Sequence, residues 1–520
     1  MTSILDCTLR DGGYYTDWDF EKGIVDDYLD TMSQLPMIEY IEIGYRSPAQ
    51  DKYLGQYFYL PIDTVKYIRE KIDHSKKLSI MINTKDCTSI EQLEYLLSDC
   101  IGYIDLVRFA VSPANFDHAL NLANKTKDMG FEVALNLMYV SQINNGDIKS
   151  YIDQIVTGAP RTDYIYLVDS FGACYPEEVK KKVRIALEAS NIPIGYHGHD
   201  NIQLAFANSI ASEEAGAVII DSTITGMGRG AGNLSTELFC SYISNKKDLV
   251  IDYSRLANIV ERFTEIKNEY GWGTSLPYMI SGLEKLPQGE IMRLLSMKRY
   301  NTNSIINLLN EKEEKILPDD EDTFKGIETL DFSNTVLIGG GKEVAHNIEG
   351  LLSFAKKTNT AFIHASLKNL DYFMKKDVTN IVCLPGDELN KLGKYYNKDI
   401  IYLISDKQPN KVDDNIIKMP NVFILTDEYL PNLNEFTFDP PLLMALKAAF
   451  KIQGSSIFLA GFDGYDQETE ANKYLREENQ QIIDVYNKNF EHKLISLTPT
   501  KYNIKVKSIY SLIVHGVING

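Results

Sequence analysis

Two histidines separated by one residue, His197 and His199 in GYHGHDN, and an aspartate, Asp11 in TLRDGG, have the side chains to hold a divalent cation. On an extended strand residues i and i+2 share a face, so both imidazoles would aim at one place. Two neutral nitrogens and one carboxylate leave coordination positions open, a set that suits Mn²⁺, Mg²⁺, Fe²⁺ or Zn²⁺. That chemistry needs a scaffold that brings the chain's first strand beside a strand almost two hundred residues later.

The sequence supplies such a scaffold. Up to about residue 245, short β-branched runs (ILDCT, YIEIGY, LSIMINT, IDLVRFAV, FEVALNLMYV, YIYLVDS, PIGYHGH, AVIIDSTI) alternate with helical-period segments such as PANFDHALNLANKTKDMG and PEEVKKKVRIALEASN. Eight strand–helix units are the number that closes a TIM (β/α)8 barrel, whose active sites lie at the C-terminal strand ends. The unusual residues fall at those ends: Arg10 and Asp11 after the first strand, Arg108 in the fourth, Asp169 and Ser170 after the sixth, the two histidines in the seventh and Asp221 in the eighth. Arg108 and Ser170 are candidates for substrate contact. No lysine lies in IDLVRFAV, FEVALNLMYV or YIYLVDS. That disfavours a Schiff-base aldolase and the biotin-dependent carboxyltransferases, which need a lysine inside the barrel.

Length and charge set the outer frame. At 520 residues with 44% apolar and 24% charged residues, the chain is expected to form more than one soluble domain. A net charge of −19 without a Lys/Arg block disfavours nucleic acid, and no long apolar segment or leader signature is evident, so the reading is cytoplasmic with no membrane partner. Six cysteines without CxxC spacing are expected as buried thiols. The expected α/β organisation is a barrel over 1–250, a helical extension over 251–315, an acidic linker over 316–332 and a second domain over 333–520.

TLRDGG, GYHGHDN and GMGRGAGN, in this order over residues 1–250, resemble the DRE-TIM metallolyase superfamily, closest in look to its 4-hydroxy-2-oxovalerate aldolase branch. The resemblance implies that Asp11, His197 and His199 bind a divalent metal, Mn²⁺ or Mg²⁺. Asn233 would lie on or near it, or else serve as a helix N-cap. It implies that Arg10 stabilises an enolate and that Ser170 contacts the carboxylate of pyruvate. A structural salt bridge from Arg10 to Glu42 or Asp6 is the alternative, and Asp169 could serve only to fix its loop. Where the aldolases carry a proton-transferring histidine, this sequence has Tyr14 followed by Tyr15, so one of the two would take that role or the base would come from elsewhere. The expected reaction makes or cleaves a carbon–carbon bond between a 2-oxo acid enolate and an aldehyde. The alternatives are a Claisen-type condensation of acetyl-CoA with a 2-oxo acid and a non-catalytic ligand-binding barrel. A homodimer is the family expectation.

The second half reads as a separate α/β unit with an open, mostly parallel sheet. VLIGGGKEVAHN places Gly339, Gly340 and Gly341 between a strand and a helix, a position for a nucleotide or sugar phosphate or simply a tight turn, with His346 and Asn347 following. With SSIFLAGFDGYD it faintly resembles the Rossmann-like folds of motility accessory factors and some bacterial sialyltransferases, which implies a place in surface-polysaccharide biosynthesis. GWGTSLPYMISG offers Trp272 and Tyr278 as one wall of the barrel mouth or as core packing.

Overall fold

A computed structural model describes residues 2–51, 53–297, 302–310, 332–374, 376–405, 414–425, 439–452, 456–465 and 470–515. The chain divides into two compact units, Met1–Ile291 and Met292–Gly520. The expected linker at 316–332 lies outside the described residues except for Phe332. The helices Tyr253–Tyr270, Leu276–Leu283 and Gln288–Ser296 follow the barrel.

In the first unit β1 (Ser3–Asp6), β2 (Ile38–Tyr45), β3 (Lys77–Asn83), β4 (Leu106–Val111), β5 (Glu132–Leu137), β6 (Tyr164–Asp169), β7 (Ile194–Gly198) and β8 (Ile219–Ser222) form a closed parallel barrel. Each coincides with one of the apolar runs, and β8 closes on β1 with Leu5 beside Asp221. Between them run amphipathic helices. Phe116–Asp128 buries Phe116, Ala119, Leu120, Leu122, Ala123 and Thr126 at helical spacing. Asn144 caps the helix Asn145–Gly158 by accepting the Asp147 N–H at 3.0 Å, and Pro176 opens Pro176–Ala189 at a position where its missing N–H costs nothing.

The period of two fills the barrel in layers. Leu5, Tyr40, Leu106, Ala134, Tyr166, Val168 and Ile219 belong to one buried cluster. Two residues further along their strands, Glu42, Arg108 and Asp221 place charges inside the barrel, each almost wholly buried. Such charges persist only when they are paired, and they are.

The second unit holds one parallel sheet in the order β13 (Val422–Leu425), β12 (Ile401–Ser405), β11 (Asn380–Cys383), β10 (Thr360–His364), β9 (Asn334–Ile338), β14 (Ser456–Ala460), β15 (Ile495–Ser496), β16 (Lys505–Val506). The chain direction across the sheet reverses at β9, which lies between β10 and β14. The helix Pro441–Lys451, buried almost all round, packs into the core on one side. All six cysteines are buried and free, and no helix among the described residues is long and apolar enough to cross a membrane.

Candidate active site

The chain leaves β1 earlier than its apolar run suggests. Strand pairing ends at Asp6, and Arg10 and Asp11 stand on a single helical turn, Thr8–Asp11, followed by a second, Gly13–Thr16. This corrects the expectation that a strand end carries them. The buried Asp6 carboxylate ends the strand by accepting from the Thr8 N–H at 2.9 Å, the Thr8 hydroxyl at 2.7 Å, Tyr28 at 2.6 Å and Thr236 at 2.6 Å. Gly12 and Gly13 allow close packing. A Cβ on Gly13 would fall 2.1 Å from the Trp18 ring, and one on Gly12 2.5 Å from the Met227 sulfur.

Asp11, His197 and His199 meet. One ligating atom from each lies within 4.8 Å of the others, and all three residues are buried. Asn233, opposite His199 in an isolated antiparallel bridge, donates its amide to Asp11 Oδ2 at 2.6 Å. Asn233 Oδ1 and His199 Nδ1 are buried with no hydrogen-bond partner among the described residues. Two orphaned acceptor-type atoms beside a carboxylate are what a cation site looks like from its donor atoms, and the set fits a divalent metal. Burial pushes His199 down to about 3, so it is a neutral ligand at any ordinary pH. Burial alone would raise the Asp11 carboxyl, but Arg10, the two imidazoles and Asn233 hold it below the usual range.

A ring of charges braces this set from inside the barrel. Arg10 Nη1 lies 2.5 Å from Asp11 Oδ1 and its Nε 2.7 Å from Glu42. Glu42 also lies 3.1 Å from Arg108, Arg108 lies 2.5 Å from Asp221, and Asp221 Oδ2 lies 2.9 Å from His197 Nδ1. Arg108 and His197 overcome burial to hold Asp221 below the usual carboxylate range, so it accepts. The His197 proton therefore sits on Nδ1 and the Nε2 lone pair faces Asp11, 3.6 Å away. Cys7, His197 and Asp221 also lie within ligating distance of one another, but burial pushes the Cys7 thiol well up and Asp221 is already taken by Arg108.

The remaining candidates separate by placement. Arg108 is wholly buried between Asp221 and Glu42 and over the Tyr166 ring at 4.1 Å, so it supports the site from within the barrel instead of facing a substrate. The Glu42 bridge to Arg10 is present, that to Asp6 is not, and Arg10 still stands beside the metal set. Tyr14 is half-buried, its hydroxyl 3.3 Å from that of Tyr45. Tyr15 donates to the Gly230 carbonyl at 3.0 Å and packs against Tyr270 and Trp272. Ser170 is half-buried after β6 and its Oγ accepts the Tyr139 N–H at 2.9 Å. Asp169 accepts the N–H groups of Ala173 and Cys174 at 3.1 and 2.9 Å, which fixes its loop. Trp272 and Tyr278 are buried as packing. Sequence reading passed over Tyr45, Gln288 and Arg229. Only Arg229 carries a local signal, a lone cation within a glycine-rich turn.

In the second unit the triple-glycine turn is already filled. Gly339 and Gly341 donate to the carbonyls of Ala460 and Gly461 at 2.8 and 2.7 Å, and the Glu343 N–H donates to Asp463 at 3.0 Å. A Cβ on Gly341 would sit 2.3 Å from the Asp463 carboxyl carbon. His346 is exposed, and Asn347 donates to the Glu343 carbonyl at 2.9 Å.

A closed (β/α)8 barrel whose mouth gathers a carboxylate, two imidazoles and a guanidinium defines a metal-dependent carbon–carbon lyase. A family model described as HMGL-like matches residues 109–262. The crystal structure of the N-terminal domain of a Bacteroides vulgatus protein assigned as an aldolase is 43% identical, with a TM-score of 0.54 over 59% of this chain and 99% of that one. Oxaloacetate decarboxylase of Mycobacterium tuberculosis is 28% identical over 273 residues, 49% of this chain and 73% of that protein. A Bacillus cereus 4-hydroxy-2-oxovalerate aldolase is 27% identical over 261 residues, 50% of this chain and 74% of that protein. The chain belongs to the HMGL-like family, the DRE-TIM metallolyases, divalent-metal enzymes that act on 2-oxo acids.

Proposed function

We propose that the barrel is an aldolase that makes or cleaves a carbon–carbon bond at C3 of pyruvate or a close 2-oxo acid, with Asp11, His197, His199 and Asn233 holding Mn²⁺ or Mg²⁺. The observation that carries this is the convergence of Asp11, His197 and His199, beside Arg10, on the orphaned Asn233 Oδ1 and His199 Nδ1. The bound cation would supply Lewis-acid polarisation of the 2-oxo acid. Arg10, fixed by Glu42 and Asp11, presents permanent positive charge where the enolate oxygen develops. Ser170 is suited to the substrate carboxylate. Tyr14, half-buried and joined to Tyr45, is the better placed of the two tyrosines to hand a proton to the oxygen of the carbonyl acceptor as C3 attacks its carbon. The proton lost from C3 balances the one gained by that oxygen.

The test is metal-dependent deuterium exchange into the methyl group of pyruvate, extended to a panel of 2-oxo acids that includes oxaloacetate. Exchange is expected with Mn²⁺ or Mg²⁺ and is abolished by a chelator. No exchange, together with thiol release from acetyl-CoA, would instead favour the Claisen-type reading.

For the second unit we propose a nucleotide or sugar-phosphate ligand near Gly339–Gly341, which would place the chain in surface-carbohydrate synthesis. Its support is the reversal of chain direction at β9, the usual position of a ligand crevice in such sheets. A phosphate there would have to displace the Asp463 carboxylate from the Glu343 N–H. A thermal-shift screen with nucleotide sugars that gives no response would remove this part.

A further inference from the structure

Resting on the enolate reading above, we propose that Arg229 selects the second substrate by charge: the carbonyl compound joined to, or released from, C3 carries a carboxylate or phosphate group.

Arg229 lies in the glycine-rich turn that ends in the site residue Asn233, and it is exposed. Its backbone has little freedom. A Cβ on Gly228 would fall 2.3 Å from the Asn233 amide, and Gly230, at φ 67°, would place one 2.0 Å from Gln288 Oε1. The guanidinium is held over the Tyr14 ring at 5.4 Å and close enough to Gly289 that a Cβ there would approach Nη2 to 2.6 Å. Its charge is felt at the His199 imidazole. Arg229 therefore stands at the mouth, beside the proposed proton donor.

The decisive feature is what Arg229 lacks. Arg10 is paired with Asp11 and Glu42, and Arg108 with Glu42 and Asp221, whereas no carboxylate among the described residues pairs with Arg229, in a chain of net charge −19. The inner groups, three carboxylates against two guanidinia, carry one net negative charge. A divalent cation and the carboxylate of one 2-oxo acid bring that set to neutrality. Arg229 is left as a cation without a counter-ion among the described residues, at the place where a second substrate must enter, and a fixed guanidinium suits carboxylate or phosphate.

The test uses the metal-loaded full chain with pyruvate and two matched acceptor pairs: succinic semialdehyde against butanal, and glycolaldehyde phosphate against glycolaldehyde. One anionic member is expected to exceed its neutral partner in kcat/KM by about tenfold, and which pair responds distinguishes carboxylate from phosphate. Arg229→Ala should erase the preference, Arg229→Lys should keep part of it, and Gly289→Ala should weaken it by displacing the guanidinium. As a readout independent of turnover, binding of non-reacting succinate or 2-phosphoglycolate should weaken about tenfold in Arg229→Ala. Equal use of charged and neutral acceptors overturns the assignment, as does a preference or anion affinity that survives Arg229→Ala. Wild-type pyruvate exchange without acceptor separates the two ideas: its absence defeats the enolate reading, and anion binding still decides Arg229.

Discussion

His197 Nδ1 lies 2.9 Å from Asp221 Oδ2, and the same carboxylate oxygen is gripped by Arg108 at 2.5 Å, so the tautomer of His197 is set by a residue outside the cluster of Asp11, His197 and His199. Asp221→Asn keeps the shape but no longer obliges Nδ1 to carry the proton. Metal affinity, measured against a competing chelator, is expected to fall by about 10–100-fold. Unchanged affinity would mean that the contact does not orient the ligand.

Arg108 is the keystone of the buried charge ring. Removing it takes from the buried Asp221 its guanidinium partner and leaves Glu42 with Arg10 alone, so Arg108→Met is expected to cost about 3–5 kcal/mol of stability in urea denaturation. Arg108→Lys keeps the charge but cannot span both carboxylates as a planar fork, and it should recover only part of the loss.

The two adjacent tyrosines should behave oppositely. Tyr14→Phe removes the half-buried hydroxyl beside Tyr45 and should slow aldol turnover on the order of 100-fold. Tyr15→Phe removes a hydrogen bond to the Gly230 carbonyl and should cost about 1 kcal/mol of stability with turnover nearly intact. The reverse pattern would transfer the proton role to Tyr15.

The barrel was legible in the sequence because every strand combines an apolar run with a turn, and the HxH pair sits at the end of the seventh. What was not legible came from side chains acting across the fold. ILDCT reads as strand, yet hydrogen bonds from Thr8, Tyr28 and Thr236 to Asp6 end pairing there and give Arg10 and Asp11 to a helical turn. Arg108 looks like a substrate residue until Glu42 and Asp221, distant in sequence, are seen to enclose it. The triple glycine reads as a phosphate turn, but the sequence does not reveal that Asp463 accepts the Glu343 N–H there, which a phosphate would have to displace. β15 and β16, two residues each, are too short to show any period.

His364, at the end of β10, gives the second unit a pH dependence unconnected with the metal centre. Its Nε2–H donates to Asn380 Oδ1 at 2.9 Å, while Nδ1 is buried without a hydrogen-bond partner among the described residues. Burial pushes its pKa down to about 4, against the partial opposition of Asn380. An unfolded histidine takes up its proton near 6.5, so between that value and about 4 the unfolded chain binds more protons than the folded one. Stability is therefore full above about pH 6.5 and falls as pH drops through this window, by roughly 3 kcal/mol from this residue. His364→Gln keeps an amide donor for Asn380 but cannot titrate. Urea midpoints of the full chain at pH 7 and pH 5 should fall less in the variant than in the wild type. Equal falls would show that His364 opens to solvent before it gains its proton.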